Sequence, residues 1–217
     1  PAQSLGGSII EAFRKMASDH GVWLLVGSFP EAREEDHRYY NTSVVIDGTR
    51  ADAPITSTYR KLHLFDIDMK GGESQKESDS IAPGEQLTVA EIAGASVGLS
   101  ICYDLRFPEL YRRLTDQGAR VLTVPSAFTE HTGKDHWLTL LRARAIENQS
   151  FVIAPNQFGH HGGKRRSYGK SAIIDPWGLT LALAPDRPGW AMARIDFEHQ
   201  DQIREALPCL AHRNPNV

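Results

Sequence analysis

The sequence has 217 residues, 41% of them hydrophobic and 24% charged, which is typical of one soluble globular domain. A formal net charge of −3 argues against a nucleic-acid or membrane-surface protein and favours a small-molecule partner. The two cysteines form no CxxC pair, and no apolar run approaches the roughly 20 residues that span a bilayer, so we expect a cytoplasmic protein.

The first half of the sequence predicts one helix followed by strands. Apolar spacing over 8–20 predicts an amphipathic helix with Ser8 as its N-cap and Gly21 at its end. Strands are predicted at 22–29, 40–47, 55–60, 87–92 and 95–102. Because charged residues follow the last of these strands at once, it is expected to carry Cys102 to the edge of a sheet.

The second half alternates helices and strands. Helices are predicted at 108–118, 136–148 and 200–206, and strands at 121–128, 151–158, 167–175, 179–184 and 190–195. Such alternation is typical of layered α/β proteins, so we expect sheets covered by helices in a single domain over residues 1–217.

Cys102 is the first candidate for chemistry, because reacting groups are commonly placed at the carboxyl ends of buried strands. The alternative is a small apolar residue that fills the core. A nucleophilic thiol needs a nearby cation or base to lose its proton. Lys61 is a candidate cation, although sequence spacing alone does not bring it to Cys102.

Other kinds of site have weaker patterns. His63 lies between two leucines and is typical of a packed histidine rather than of a base. The pair His160 and His161 has no further ligand at chelating distance in the sequence, so no metal is predicted. The basic run 164–166 is typical of a solvated turn, and neither a GxSxG nor a GxxxxGK[ST] motif occurs.

Six longer segments together resemble the nitrilase superfamily of carbon-nitrogen hydrolases. They are YRKLHLFD at 59–66, KES at 76–78, GLSICYDLRFPELYR at 98–112, PSAFTEHTGKDHW at 125–137, LLRARAIENQSFVIAPNQ at 140–157 and SYGKSAIIDPWG at 167–178. The run from 132 to 147 is most similar to the branch that contains deaminated glutathione amidases and omega-amidases. The resemblance extends over nearly the whole chain.

The resemblance implies a four-layer α-β-β-α sandwich and a set of site residues. Cys102 matches the nucleophile, Lys61 the catalytic lysine and Glu77 an auxiliary glutamate. Arg106 and Glu109 match residues expected to brace the nucleophile turn. The residues predicted to contact the substrate are Tyr103, Phe128 and Arg106.

One expected residue has no match. The family's general-base glutamate follows an early strand upstream of the lysine, which would precede residue 1, so we expect the N-terminal strand-helix-strand portion to be missing. Glu31 matches a later segment of the family and is not taken for that base.

The resemblance predicts thiol-dependent hydrolysis of a small carboxylate-bearing primary amide to acid and ammonia, with deaminated glutathione as the favoured substrate. No cofactor is expected, because an amide carbonyl is already electrophilic. Arginine and lysine side chains are candidates to bind a substrate carboxylate: Arg142, Arg144, Lys164, Arg165 and Arg166. A homodimer or larger homo-oligomer is expected. The alternatives are an omega-amidase, another amide or carbamoyl hydrolase of this fold, or a non-catalytic binding protein.

Overall fold

The computed structural model describes residues 2–67, 75–162 and 165–214. Its helices are α1 (Ser8–His20), α2 (Pro108–Asp116), α3 (Glu130–Asn148) and α4 (Phe197–Ala206). Its strands are β1 (Trp23–Ala32), β2 (Tyr39–Asp47), β3 (Ile55–Arg60), β4 (Asp66–Ile67), β5 (Gln75–Lys76), β6 (Ile81–Ala82), β7 (Val89–Ile92), β8 (Ala95–Leu99), β9 (Val121–Thr123), β10 (Phe151–Ala154), β11 (Phe158–His160), β12 (Arg166–Tyr168), β13 (Ala172–Ile174) and β14 (Thr180–Leu183).

Two main sheets form the middle of the molecule. The first has the order β1-β2-β3, with β6 parallel to the start of β2. The second has the order β14-β13-β10-β9-β8-β7, with β8, β9 and β10 parallel and the outer strands antiparallel. Since α2 connects β8 to β9 and α3 connects β9 to β10, the parallel strands all end at the same edge.

Three apolar layers hold the sheets and helices together. Along β2, Val44 and Ile46 pack towards α1, whereas Val45 packs towards the second sheet, as the period of two along a strand requires. A third layer lies between the second sheet and the pair α2 and α3; its largest side chains include Trp137, Leu141, Leu114 and Leu122. The layer order is therefore helix, sheet, sheet, helix, and the predicted α-β-β-α sandwich is confirmed.

The predicted N-cap of α1 and the last predicted strand were wrong. Ser8 is the first helical residue of α1 rather than its N-cap, because the Gln3 side chain accepts a hydrogen bond from the Ile9 N–H at 3.0 Å and takes over the capping role. The segment 190–195 is not a strand. Its side chains alternate between exposed and half-buried, yet no neighbouring strand pairs with it in the described part of the chain, and alternation alone does not supply a partner.

Candidate active site

A cavity of about 540 Å³ lies where the parallel strands of the second sheet end. Chain segments that follow β8, β9 and β10 line one side of it, and β1, β2 and the residue after β3 line the other. Ligands commonly bind at this edge of a parallel sheet. All six predicted site residues line this one cavity: Lys61, Glu77, Cys102, Tyr103, Arg106 and Phe128.

The Cys102 backbone has a left-handed conformation, with φ of 49°. The residue lies three positions beyond the end of β8 and begins a 3-10 helix, Cys102–Arg106, while its N–H donates to the Pro125 carbonyl at 3.0 Å. A non-glycine residue in this region is strained, and such strain is concentrated at functional sites. The half-buried thiol is thus presented to the cavity on a tight turn while it also packs against the core.

The buried Asp104 carboxylate braces this turn. It accepts hydrogen bonds from the Tyr59 hydroxyl at 2.7 Å, the Ile101 N–H at 2.8 Å and the His63 N–H at 3.0 Å. His63 Nδ1 lies 2.7 Å from the same carboxylate, and its ring stacks on Phe107. The Cys102 turn is therefore joined to the chain on both sides of Lys61.

Sequence reasoning missed Asp104 and favoured Glu109, which is exposed in the first turn of α2. A signal was present, because Asp104 lies between the apolar residues Ile101 and Leu105 and two residues after Cys102. A carboxylate there must be satisfied by several donors.

Lys61 is buried at the floor of the cavity, with 2% of its side chain exposed. Its ammonium donates to Glu77 Oε2 at 2.5 Å, and the same oxygen accepts from the Phe65 N–H at 2.6 Å. The Lys61 peptide is fixed as well, since its carbonyl accepts from the Gly84 N–H at 2.8 Å. A Cβ at Gly84 would lie 2.2 Å from the Arg60 carbonyl oxygen, so only glycine permits this approach.

The surroundings of the Cys102 thiol shift its pKa in opposite directions. Burial raises the pKa of Cys102 above its ordinary value, and the Glu77 carboxylate adds to that increase. The Lys61 ammonium acts to lower the same pKa, as do the Ala127 backbone and the Ser126 hydroxyl. The net direction is upward, so the resting group is the thiol, and Lys61 favours the thiolate once the proton leaves.

Arg106 occupies another part of the cavity, where its neighbours are uncharged. Its guanidinium lies 5.0 Å from the centre of the Phe128 ring and 5.9 Å from that of Tyr103. Its Nη1 lies 3.2 Å from His136 Nδ1. In the described part of the chain it pairs with no carboxylate, which leaves its charge available to a ligand.

The other cationic candidates that the structure describes do not line this cavity. Arg144 is buried and donates to the Leu105 carbonyl and to Glu147. Arg142 donates to the Gly178 carbonyl, and Arg166 pairs with Glu130. Lys164 lies outside the described residues.

Glu77 is the one carboxylate among the described residues that line the cavity. Glu31 is buried elsewhere and accepts from Arg60 and Thr42; although burial opposes them, these bonds hold its pKa below the ordinary value. Within the described ranges, no three His, Cys, Asp or Glu side chains are grouped as a metal site. None of the described helices is long and apolar enough to cross a bilayer.

Comparisons with known proteins all indicate the same family. The carbon-nitrogen hydrolase model matches residues 1–205. Deaminated glutathione amidase of Bos taurus is 42% identical over 221 aligned residues, which cover 100% of this chain and 66% of that protein. The chain thus spans about two thirds of the length of such curated relatives. The Synechocystis protein of the same name is 45% identical over 201 residues, covering 91% of this chain and 73% of that protein.

Solved structures agree with the sequence relatives. The C. elegans NitFhit protein superposes with a TM-score of 0.90 at 40% identity, covering 97% of this chain and 51% of that one. A carbon-nitrogen hydrolase from Helicobacter pylori G27 gives a TM-score of 0.85 at 27% identity, covering 98% and 76%.

Proposed function

The chain belongs to the carbon-nitrogen hydrolase family of the nitrilase superfamily, and from that premise we propose that it hydrolyses a carboxylate-bearing amide, with deaminated glutathione as its substrate. The observation that supports this most is the strained Cys102 turn facing the buried Lys61–Glu77 pair across one cavity. Relatives named deaminated glutathione amidase, 40–45% identical, support the choice of substrate.

Cys102 is the proposed nucleophile. The thiol gives up its proton and its sulfur adds to the amide carbonyl; the C–N bond breaks, the amine leaves carrying that proton, and a thioester remains on the sulfur. Water then hydrolyses the thioester to the carboxylic acid. The family's acid-base glutamate has no counterpart among the described residues that line the cavity, so Glu77 is assigned only to holding Lys61.

Lys61 and the Tyr103 N–H are the proposed oxyanion donors. Lys61 is buried and fixed by Glu77, so it needs no reorganisation when negative charge forms on the carbonyl oxygen. The Tyr103 N–H lies in the first turn of the 3-10 helix, where backbone N–H groups lack a partner within the helix. Because Lys61 is buried, its attraction for that negative charge is screened less than at an exposed position.

Arg106 is proposed to bind the substrate carboxylate, with Phe128 and Tyr103 packing on its guanidinium. An unpaired arginine suits the flat geometry of a carboxylate, which can accept two hydrogen bonds from one guanidinium.

The choice of substrate also determines the leaving group. Both amide nitrogens of deaminated glutathione lie within a peptide chain, so its hydrolysis releases a peptide amine, whereas a primary amide releases ammonia.

The assembly and location are further parts of the proposal. Exposed apolar side chains cluster along edge strand β14 and the segments on either side of it: Trp177, Leu179, Leu181, Leu183, Trp190 and Met192. Such a surface supports a homodimer or larger homo-oligomer. The free Cys102 thiol on which the reaction depends supports action in a reducing compartment, the cytoplasm.

The test measures carboxylic acid, peptide amine and ammonia released by the purified protein from deaminated glutathione and from a primary-amide keto acid. We expect turnover to disappear in Cys102→Ala and to persist in Cys209→Ala, which removes the other, exposed cysteine. Intact mass should show an acyl adduct on Cys102. Turnover retained in Cys102→Ala would rule out the thiol mechanism, and release from neither amide would favour a carbamoyl substrate or a non-catalytic binding protein.

A further inference from the structure

The contact between Arg106 and His136 assigns the acceptor role to the histidine. Arginine nitrogens only donate, so at 3.2 Å from Arg106 Nη1 the His136 Nδ1 must carry a lone pair. The ring is therefore neutral, with its hydrogen on Nε2. A protonated ring would place two cations against each other.

Carboxylates hold other arginines in this protein. Arg60 pairs with Glu31, Arg120 with Asp201 and Arg213 with Asp116. In each pair the carboxylate orients the guanidinium but also neutralises its charge. A neutral histidine orients the guanidinium and leaves the full positive charge for a ligand.

Helix α3 presents His136 at a fixed position. The next residue, Trp137, is fully buried, donates from Nε1 to the Lys170 carbonyl at 2.8 Å and packs against Phe128. Phe128 is also one of the rings that pack on Arg106. One buried tryptophan therefore locates both the histidine and the ring beside the arginine.

From this arrangement we infer that His136 is a positioning residue for substrate specificity: as a neutral acceptor it holds the Arg106 guanidinium at the cavity so that the arginine binds the substrate carboxylate. The inference rests on the proposed role of Arg106 in amide hydrolysis. Its distinctive consequence is that the acceptor must be both present and neutral.

Three substitutions separate those effects. His136→Gln keeps a neutral acceptor, His136→Leu removes the acceptor, and His136→Glu supplies a charged acceptor that would neutralise Arg106. The control is His131→Glu, which adds the same charge to another exposed position of α3. Helix content and thermal unfolding are measured for each variant so that misfolding is recognised.

Kinetics compare a carboxylate-bearing amide with a counterpart in which a methyl group replaces the carboxylate. In His136→Glu and His136→Leu we expect the preference for the carboxylate to fall by about tenfold or more, through KM rather than kcat. His136→Gln and His131→Glu should stay within about threefold of the unaltered protein. Equal KM changes for both amides, or a His136→Glu that keeps its preference, would overturn the inference.

Calorimetric titration with glutarate tests the same point without turnover. Binding should weaken in His136→Glu and His136→Leu and be retained in His136→Gln. If glutarate binding follows this pattern among the variants but the unaltered protein cleaves neither amide, the proposed reaction is wrong and the role of His136 is supported. If the affinity for glutarate is the same in all three variants as in the unaltered protein, the proposed role of His136 is wrong, whether or not the protein cleaves either amide.

Discussion

Lys61 and Arg106 are both cations that line the cavity, yet they are held in opposite ways. Lys61 is almost fully buried and paired with a carboxylate at 2.5 Å, whereas Arg106 is half-buried and held by two aromatic rings and a neutral histidine. A paired, desolvated cation suits charge that forms during a reaction, because its position is fixed beforehand. An unpaired cation suits charge that arrives with the ligand.

Removing the buried cation should have the largest effect. Lys61→Met is expected to lower kcat by about 10²–10³-fold, the usual cost of an oxyanion donor. It should also raise the pKa of Cys102 further, because Lys61 acts to lower it. Amide turnover and the pH dependence of Cys102 alkylation by iodoacetamide measure the two effects. Lys15→Met, at an exposed lysine, is the control, and unchanged turnover in Lys61→Met would contradict its role.

Neutralising Glu77 should separate thiol reactivity from catalysis. Glu77→Gln removes a negative charge that raises the pKa of Cys102, so the pKa should fall and the alkylation curve should move to lower pH. Turnover should nevertheless fall, by about 10–10²-fold, because Lys61 loses its fixed partner. The exposed Glu109→Gln is the matched control. A shift of the alkylation curve to higher pH would refute this account.

A smaller change is expected when Arg106 keeps its charge but loses its planar shape. Arg106→Lys should raise KM for the carboxylate-bearing amide by about tenfold and alter kcat little, since an ammonium neither stacks on Phe128 nor binds a carboxylate at two points. Steady-state kinetics beside Arg113→Lys, an exposed arginine of α2, give the measurement. A tenfold loss in kcat would instead indicate that Arg106 takes part in the chemical step.

An effect on stability alone is expected from the brace behind the Cys102 turn. Burial, together with the charge of Asp104, raises the pKa of Tyr59 well above its ordinary value, so its hydroxyl remains a donor. Tyr59→Phe removes that donor and should lower the free energy of unfolding by about 1.5–3 kcal/mol. Denaturant unfolding beside Tyr39→Phe measures the loss. No difference between the two variants would show that the bond to Asp104 contributes little.

Sequence patterns predicted the elements with strong periodicity. The predicted bounds of α1 and β3 are those observed, and β2 begins one residue earlier than predicted. Strand 190–195 was wrong, and α3 begins at Glu130 rather than at 136. Both errors concern information that a local pattern lacks. A strand needs a neighbouring strand to pair with. The start of α3 packs closely against Tyr168, whose Cβ would lie only 2.5 Å from a Cβ added at Gly133.

The site residues also fall into those that the sequence predicted and those that it did not. Resemblance supplied Cys102, Lys61 and Glu77, and the fold places all three at one cavity, while their roles remain predictions. The brace at Asp104 and the bond from Arg106 to His136 were missed, because each joins segments 30 or more residues apart. No spacing rule in a single sequence reports such contacts.

The left-handed backbone at Cys102 has a consequence for how this protein can be altered. Glycine adopts that conformation freely, whereas any residue with a Cβ is destabilised there by about 1–2 kcal/mol. The backbone conformation alone would therefore favour glycine at the position of the proposed nucleophile. Selection for thermal tolerance without an activity screen would therefore favour Cys102→Gly, a variant that lacks the proposed nucleophile.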